Sequence, residues 1–353
     1  MLPTQSASAR HFAKFDLSRV PSPCFVVDEV ALRDNLAILQ NLSVASGAKI
    51  LLSLKAFSMW SLAELVNDCL HGCSAASLWE ARLAHRYYGG LLASYAPAFK
   101  PSELTEIAHL SDHIIFNNTR QIAAFAATTP KPDCDIGLRL NPEHSESDNP
   151  LYDPSAADSR LGQPISQLQD TLPPEVRGLH LHNLCEQGFA PLQRTMAAVA
   201  PYLAAQSGKF DWLNLGGGHL LTHPDYDRPA LVSLLRVLAE QHHAQLYLEP
   251  GMAVAFDAGI LVGEVLDVAE NNAILDISAT CHMPDVLEAP YRPALLGEAQ
   301  NGMNIRLGGV SCLAGDVIGA YQFARPPKIG QRVAFLDQAH YSMVKSTSFN
   351  GVA

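Results

Sequence analysis

Eight short apolar segments recur through residues 49–249, and this rhythm constrains the fold more than anything else in the chain. They fall at 49–54, about 72–75, 91–95, 113–117, 135–140, 178–182, 212–215 and 245–249. Helix-like stretches lie between them, the clearest at 62–68, 78–88, 102–110, 120–127, 193–206 and 229–241, several opening with Pro, Ser or Thr. Strands alternating with helices imply a parallel sheet. Eight repeats in roughly 200 residues suit a closed (β/α)8 TIM-type barrel better than an open doubly wound sheet. The Gly-x-Gly-x-x-Gly of a dinucleotide fold is also absent after the first strand.

Within each segment the side chains alternate between two faces. Leu179 and Leu181 oppose Gly178, His180 and His182, and Ile136, Leu138 and Leu140 oppose Gly137, Arg139 and Asn141. In the same way Leu213 and Leu215 oppose Asn214 and Gly216, and Leu246 and Leu248 oppose Tyr247 and Glu249. The leucine face meets the helices, so the other face looks into the barrel. The last inward residue of each strand then stands at the carboxy-terminal rim, where barrel enzymes place their chemistry. Those rim residues are Lys55, Arg139, His182, Gly216 and Glu249.

Several of them admit more than one reading. Lys55 ends an apolar strand with no charge partner nearby in sequence. Such a lysine either snorkels to water or loses its solvation, drops in pKa and acts as a nucleophilic amine, as in Schiff-base chemistry. Gly216-Gly217-Gly218 follows a strand directly, and is either a tight turn or a run of exposed backbone N–H groups for a phosphate. Glu249 could pair with a ring nitrogen, a metal or an arginine. His180 and His182 share one face, as a metal pair in a barrel hydrolase would, or as one packed histidine beneath one working histidine.

After Glu249 the pattern changes to β segments at 260–268, 273–278, 309–312, 317–321 and 332–336, an all-β domain that the strand at 23–28 completes. The expected division is a barrel over 29–258 and a β domain from 1–28 plus 259–353. A helix follows Asp28 as its cap, burying Leu32, Leu36 and Leu39. The long connection 141–175, rich in Asp, Ser and Pro, has the length of a lid or site loop. No run of ~18 apolar residues is present, so a membrane partner is not expected, and the first ten residues lack the apolar stretch of a secretion signal, which points to the cytoplasm. Seven cysteines without a Cys-x-x-Cys pair suggest free thiols, with neither a disulfide framework nor a zinc ribbon, and no metal is expected. A net charge of -11 disfavours nucleic acid and is compatible with a small cationic substrate.

A desolvated lysine, a stacking histidine, a glycine turn for phosphate and a carboxylate for a pyridinium nitrogen are the parts needed to hold pyridoxal 5'-phosphate, and no metal site needs all four. The strings that carry these parts are Ser53-Leu54-Lys55-Ala56, Gly178-Leu179-His180-Leu181-His182, Gly216-Gly217-Gly218, Glu249-Pro250-Gly251 and Gly309-Val310-Ser311-Cys312-Leu313-Ala314-Gly315-Asp316. In that order they resemble the fold III (alanine racemase-like) pyridoxal phosphate decarboxylases, the group of the ornithine and diaminopimelate enzymes. Three longer strings are more specific: His182-Asn183-Leu184-Cys185-Glu186, Cys281-His282-Met283-Pro284-Asp285-Val286 and Tyr341-Ser342-Met343-Val344-Lys345-Ser346-Thr347. They resemble the carboxynorspermidine and carboxyspermidine decarboxylases, over about residues 23–351.

The resemblance implies that Lys55 holds the cofactor covalently, that His182 stacks on its ring and that Arg139 supports it from behind. It implies that Gly216, Gly217, Gly218 and Tyr341 bind the phosphate, that Glu249 keeps the ring nitrogen protonated, and that Cys312 returns a proton to the carbon that has lost CO2. In such enzymes the cysteine reaches into the neighbouring subunit's site, so a homodimer with shared sites is expected, with norspermidine or spermidine as product. Two departures from the wider group stand out: Met252 where an arginine is usual and Leu313 where an acidic residue is usual. A replacement for the lost acid is expected on the loop of His282 and Asp285, with Glu249 and Asp316 as further substrate contacts. The resemblance also leads one to expect residues beyond Ala353. Three other classes stay open: a fold III decarboxylase of another basic or diamino acid, a metal-dependent hydrolase using His180 and His182, and a cofactor-carrying regulatory barrel without catalysis. The presence of Cys312 argues against the last.

Overall fold

The computed structural model describes residues 7–128, 133–147, 149–168 and 171–352. Expectations about residues 1–6, and about residues 148, 169 and 170 of the long connection, lie outside them. The chain divides into two units, Asn35–Val254 and a second one of Met1–Asp34 with Ala255–Ala353. The sequence pattern places these joints at 28/29 and 258/259.

The first unit is the barrel. Its strands are Lys49–Ile50 continuing as Leu52–Ser53, Gly72–Ala75, Leu91–Tyr95, His113–Phe116, Asp135–Asn141, Val176–Leu181, Trp212–Asn214 and Gln245–Leu248, and every neighbouring pair is parallel. Lys49–Ile50 pairs with Tyr247–Leu248, while Leu52–Ser53 pairs with Cys73–Ser74. The sheet therefore comes back to the strand on which it began and closes through that strand's two halves.

Side-chain parity is as the alternation predicts. Leu138, Leu140, Leu179, Leu181, Leu213, Leu246 and Leu248 are all buried on the outward face, where each stabilises the fold by roughly 1.5–3 kcal/mol. The inward face holds Leu51, Ala93, Ile115, Trp212 and Tyr247 as one apolar plug, with the Trp212 indole stacked on His113 at 4.3 Å between ring centres. That indole needs room. A Cβ on Gly178 would lie 1.9 Å from it and one on Gly137 2.5 Å, so the two inward glycines are the space into which Trp212 fits.

The helices begin where the chain offers caps: Ser77 Oγ accepts from Glu80 N ahead of Leu78–Tyr87, Asp227 from Ala230 N ahead of Arg228–His242, and Pro101 opens Pro101–Leu110. Asp28 caps Glu29–Ser46, its Oδ1 accepting from Val30 N and Ala31 N. In the long connection, Gln163–Pro164 adds a short strand beside Leu140–Asn141. Among the described residues no helix is long and apolar enough to cross a membrane.

The second unit is a six-stranded, mostly antiparallel sheet of Cys24–Val27, Gly259–Ala269, Asn272–Leu275, Met303–Gly308, Val317–Phe323 and Arg332–Leu336. The amino-terminal strand completes it as expected, pairing with Gly259–Val262. Gly259–Ala269 carries both cores: Leu261 and Val265 pack with Ile305, Leu307, Ile318 and Phe335, while Ile260 and Val262 pack with Phe12 and Ala334.

Two expectations need correction. Strand pairing ends at Ser53, because Ser53 O accepts from Ala56 N and Phe57 N and turns the chain, so Lys55 stands on the turn rather than in the strand. The expected strand at 309–312 is an irregular loop. The strand lies just before it, at Met303–Gly308, where buried Ile305 and Leu307 alternate with exposed Asn304 and Arg306. The ladder shifts register at Leu307/Gly308, and Asp316 folds the following residues back by accepting from Ser311 N and Oγ.

Candidate active site

The carboxy-terminal ends of the barrel strands gather Lys55, Arg139, His182, the glycine turn and Glu249, and bring in residues that sequence reasoning did not single out. Lys55 Nζ lies 3.2 Å from His182 Nε2. The other nitrogen of that ring, Nδ1, accepts from the backbone N–H of Gly217 at 2.8 Å. An accepting Nδ1 puts the ring proton on Nε2, the nitrogen that faces the lysine. A protonated amine and an N–H would then meet donor to donor, so this contact fits a neutral Lys55 that accepts from His182.

The surroundings of both groups favour that state. The Lys55 amine opens to solvent, yet protein crowds around it. This loss of hydration first, and the Arg139 charge second, pull its pKa below the ordinary lysine value, against the upward pull of Glu249, Cys185 and Glu80. His182 is held well below the usual histidine range by burial, then by the charges of Lys55 and Arg139. It is a neutral ring.

Behind His182 lies a stack of rings. His180 is 6.4 Å from His182 and 5.5 Å from Tyr95, centre to centre, and near parallel to both. The Arg139 guanidinium covers the far side of this stack, 4.6 Å from the Tyr95 ring, and donates from its NH2 to His182 O at 2.7 Å. Tyr95 is fixed in turn, since its hydroxyl donates to Asn117 Oδ1 at 2.7 Å, which also accepts from Gly162 N in the long connection. Arg139 therefore backs His182 through Tyr95 and a backbone carbonyl.

The Glu249 carboxyl lies below its usual pKa range: burial raises it, and contacts from His180, the Asn214 amide and Lys55 outweigh that. Burial also pushes His180 toward the neutral form, and its Nε2 is 3.7 Å from Glu249 Oε2, beyond hydrogen-bond length. The lasting support of the carboxylate is Asn214 Nδ2, which donates to Oε1 at 2.7 Å.

The glycine turn is tight for a physical reason. A Cβ would lie 2.4 Å from Leu181 O at Gly216, 2.4 Å from Glu249 O at Gly217 and 2.0 Å from Leu184 O at Gly218, and φ is positive at the first and third. Its direction corrects the expected three-amide nest: Gly216 N–H donates to Asn214 Oδ1 and Gly217 N–H to His182, so the amides left for an anion begin at Gly218.

The other predicted residues belong to the β unit, where hydrogen bonds join them. Asp316 is buried, with Oδ1 accepting from Ala279 N and Oδ2 from Ser311, so it braces the loop of exposed Cys312 against the turn that begins at Ser278. Both oxygens of Asp316, expected as a substrate contact, accept hydrogen bonds within the β unit. His282 is buried too, its Nδ1 accepting from Ser278 N. Asp285 and Glu288 both hold the ammonium of Lys345, four residues after half-buried Tyr341. Cys312 N donates to Asn350 Oδ1, and Cys312, Val310, Asn350 and Val352 help line a cavity of about 510 Å3. Among the described residues no group of three or more His, Cys, Asp or Glu could hold a metal ion.

No family model matches the chain. The carboxyaminopropylagmatine decarboxylase of Synechocystis sp. is 41% identical over 344 residues, covering 95% of this chain and 89% of that protein. The carboxynorspermidine/carboxyspermidine decarboxylase of Campylobacter jejuni is 37% identical over 351 residues, covering 95% and 91%. Among solved structures, that of carboxynorspermidine decarboxylase complexed with norspermidine, from Campylobacter jejuni, superposes with a TM-score of 0.87 at 36% identity, covering 94% of this chain and 92% of that one.

Proposed function

The chain belongs to the family of carboxynorspermidine/carboxyspermidine decarboxylases, and from that premise we propose that it removes CO2 from a carboxylated polyamine with pyridoxal phosphate held at Lys55. The observation that carries this reading is the rim itself: the Lys55 amine 3.2 Å from the His182 ring, that ring held by Gly217 N–H at 2.8 Å, and the Glu249 carboxylate held by Asn214 at 2.7 Å, all on one barrel.

These residues fit the cofactor. The lysine offers a lone pair for the aldehyde carbon, the Gly216–Gly218 turn has no room for a Cβ, and Glu249 keeps Oε2 free of any hydrogen bond from Asn214. When bound, the group supplies a cationic pyridine ring that takes up the electron pair left as CO2 departs. Glu249 holds a proton on the ring nitrogen, which keeps that ring electron-poor. His182 covers one ring face, with Arg139 and Tyr95 fixing its position. Gly218 and Tyr341 bind the phosphate.

The β unit handles the substrate. Cys312 returns a proton to the carbon that has lost CO2, and it is offered to the neighbouring subunit of a homodimer. Asp285, whose carboxylate also holds the Lys345 ammonium, is an anchor for the substrate's cationic amines, and charge-assisted contacts of that kind contribute roughly 1.5–3 kcal/mol each.

A second substrate is favoured by the Synechocystis relative, namely carboxyaminopropylagmatine, which carries a guanidinium at one end. One assay separates the readings. Purified protein with pyridoxal phosphate is given carboxynorspermidine, carboxyspermidine, carboxyaminopropylagmatine, ornithine and diaminopimelate in turn, and released CO2 is measured. Turnover of a carboxylated polyamine, with little from the two amino acids, is expected. Turnover confined to ornithine or diaminopimelate would overturn the proposal.

A further inference from the structure

Asn214 sits at the end of its strand with no exposed surface, and it closes a ring of three hydrogen bonds around the proposed cofactor site. Its Nδ2 donates to Glu249 Oε1 at 2.7 Å, its Oδ1 accepts from Gly216 N at 2.8 Å, and Glu249 N donates to Gly216 O at 2.8 Å. We propose that Asn214 is the positioning residue that locks the Glu249 carboxylate to the glycine turn, so that the group facing the ring nitrogen and the group facing the phosphate move as one piece.

The residue type is dictated by chemistry. One neighbour is a backbone N–H and must meet an acceptor, while the other is a carboxylate and must meet a donor, so the two ends of the side chain cannot be exchanged. The asparagine amide presents both on two separate atoms at this reach, whereas a Ser or Thr hydroxyl would be too short to span the two partners and Gln would carry the amide one methylene too far. Aspartate has the shape but no donor unless it is protonated, and leucine has the size but neither group. The amide also decides which oxygen works. With Oε1 held by Asn214, the carboxylate rotation is fixed and Oε2 is left for the ring. His180 lies 3.7 Å from that oxygen, too far to hold it in place. Without Asn214, Glu249 could turn toward His180 or Lys55 and leave the ring nitrogen without its partner.

Asn214's role rests on the reading of Glu249 given above, and the test separates the two. Asn214→Leu and Glu249→Gln are each loaded with pyridoxal phosphate labelled with 15N in the ring, and are measured for kcat, KM and the ring-nitrogen chemical shift. For Asn214→Leu, kcat should fall by about ten- to a hundredfold with KM changed by less than about threefold, the range expected when a hydrogen bond to a charged group is lost. The nitrogen signal should move toward that of unprotonated pyridine, which loosened packing alone would not cause.

Asn214→Asp, of the same shape, covers the case in which the leucine variant does not fold. The two facing carboxyls share a proton at lower pH and repel once both ionise, so its turnover should fall with rising pH across a range where the parent's holds. A folded Asn214→Leu protein with kcat within twofold of the parent and an unmoved nitrogen signal overturns the proposal. So does an Asn214→Asp profile that superimposes on the parent's. Normal turnover by Glu249→Gln removes the reading of Glu249 and the role of Asn214 with it, whereas an impaired Glu249→Gln beside an unaffected Asn214→Leu removes Asn214 alone.

Discussion

Lys55 differs from an ordinary surface lysine in what faces its amine: an imidazole N–H at 3.2 Å and the pull of Arg139, in place of free water. A lowered pKa means a larger neutral fraction at any pH below the usual lysine range, and only the neutral amine is nucleophilic. In the cofactor-free protein an amine-directed acylating reagent near pH 8 should therefore modify Lys55 faster than an exposed lysine such as Lys100, and borohydride reduction of the loaded protein should tag Lys55 alone. Peptide mapping checks both, and a tag on another lysine would sink the assignment. His182, Arg139 and Glu249 could be read from strand parity because a charged or imidazole side chain on an inward face is chemically conspicuous, and the same parity pointed to Lys55 although it stands on the turn after its strand. Asn214 and Tyr95 share that parity, but an amide or a phenol announces no chemistry until its partners are known. Their roles depend on contacts 22 to 44 residues away: Asn117 and Arg139 for Tyr95, and Glu249, at 35 residues, for Asn214.

Among the elements, the turn of Gly216 to Gly218 ties the site together, and it gives a prediction that separates backbone strain from steric conflict. Gly218 and Gly208 both have a left-handed backbone, at φ +83° and +75°, but a Cβ at Gly218 meets Leu184 O at 2.0 Å while one at Gly208 meets nothing within 4 Å. Strain alone should make Gly208→Ala cost about 1 kcal/mol, and the added clash should take Gly218→Ala to ~2 kcal/mol or more and weaken retention of the cofactor. Denaturant midpoints and cofactor dissociation rates measure the two effects, and equal losses would show that the clash relaxes at no cost. Three glycines in a row read in the sequence as either a tight turn or an anion nest. Which way their N–H groups point was not legible there, because that is set by φ at Gly216 and by partners brought from Asn214 and His182. The loop of Cys312 was hidden for a related reason. Val310 and Cys312 look like strand residues, but the Asp316 carboxylate bends the segment, and the true strand carries its weaker alternation at Ile305 and Leu307.

At the scale of the whole molecule, two units were legible because hydrophobic periodicity changes after Glu249, and because eight repeats with polar inward ends suit a closed barrel better than an open sheet. The roles proposed for Cys312, Asp285 and Tyr341 come from the resemblance alone, since these residues have no spacing relation to the barrel residues. That division is what makes the proposed homodimer testable. If each site takes Lys55 from one chain and Cys312 from the other, neither Lys55→Ala nor Cys312→Ala alone retains a complete site. A mixture reassorted into heterodimers has one site in which both changes meet and one in which neither is present. Random reassortment of equal amounts puts half the dimers in the mixed form, each with one of its two sites intact, so decarboxylation should recover to about a quarter of the parent's activity per total protein. Reassociation is followed with two affinity tags, so that heterodimers are counted independently of activity. No recovery in heterodimers shown to have formed would assign Lys55 and Cys312 to the same chain's site, and the shared-site dimer would fall while the decarboxylase reading stood.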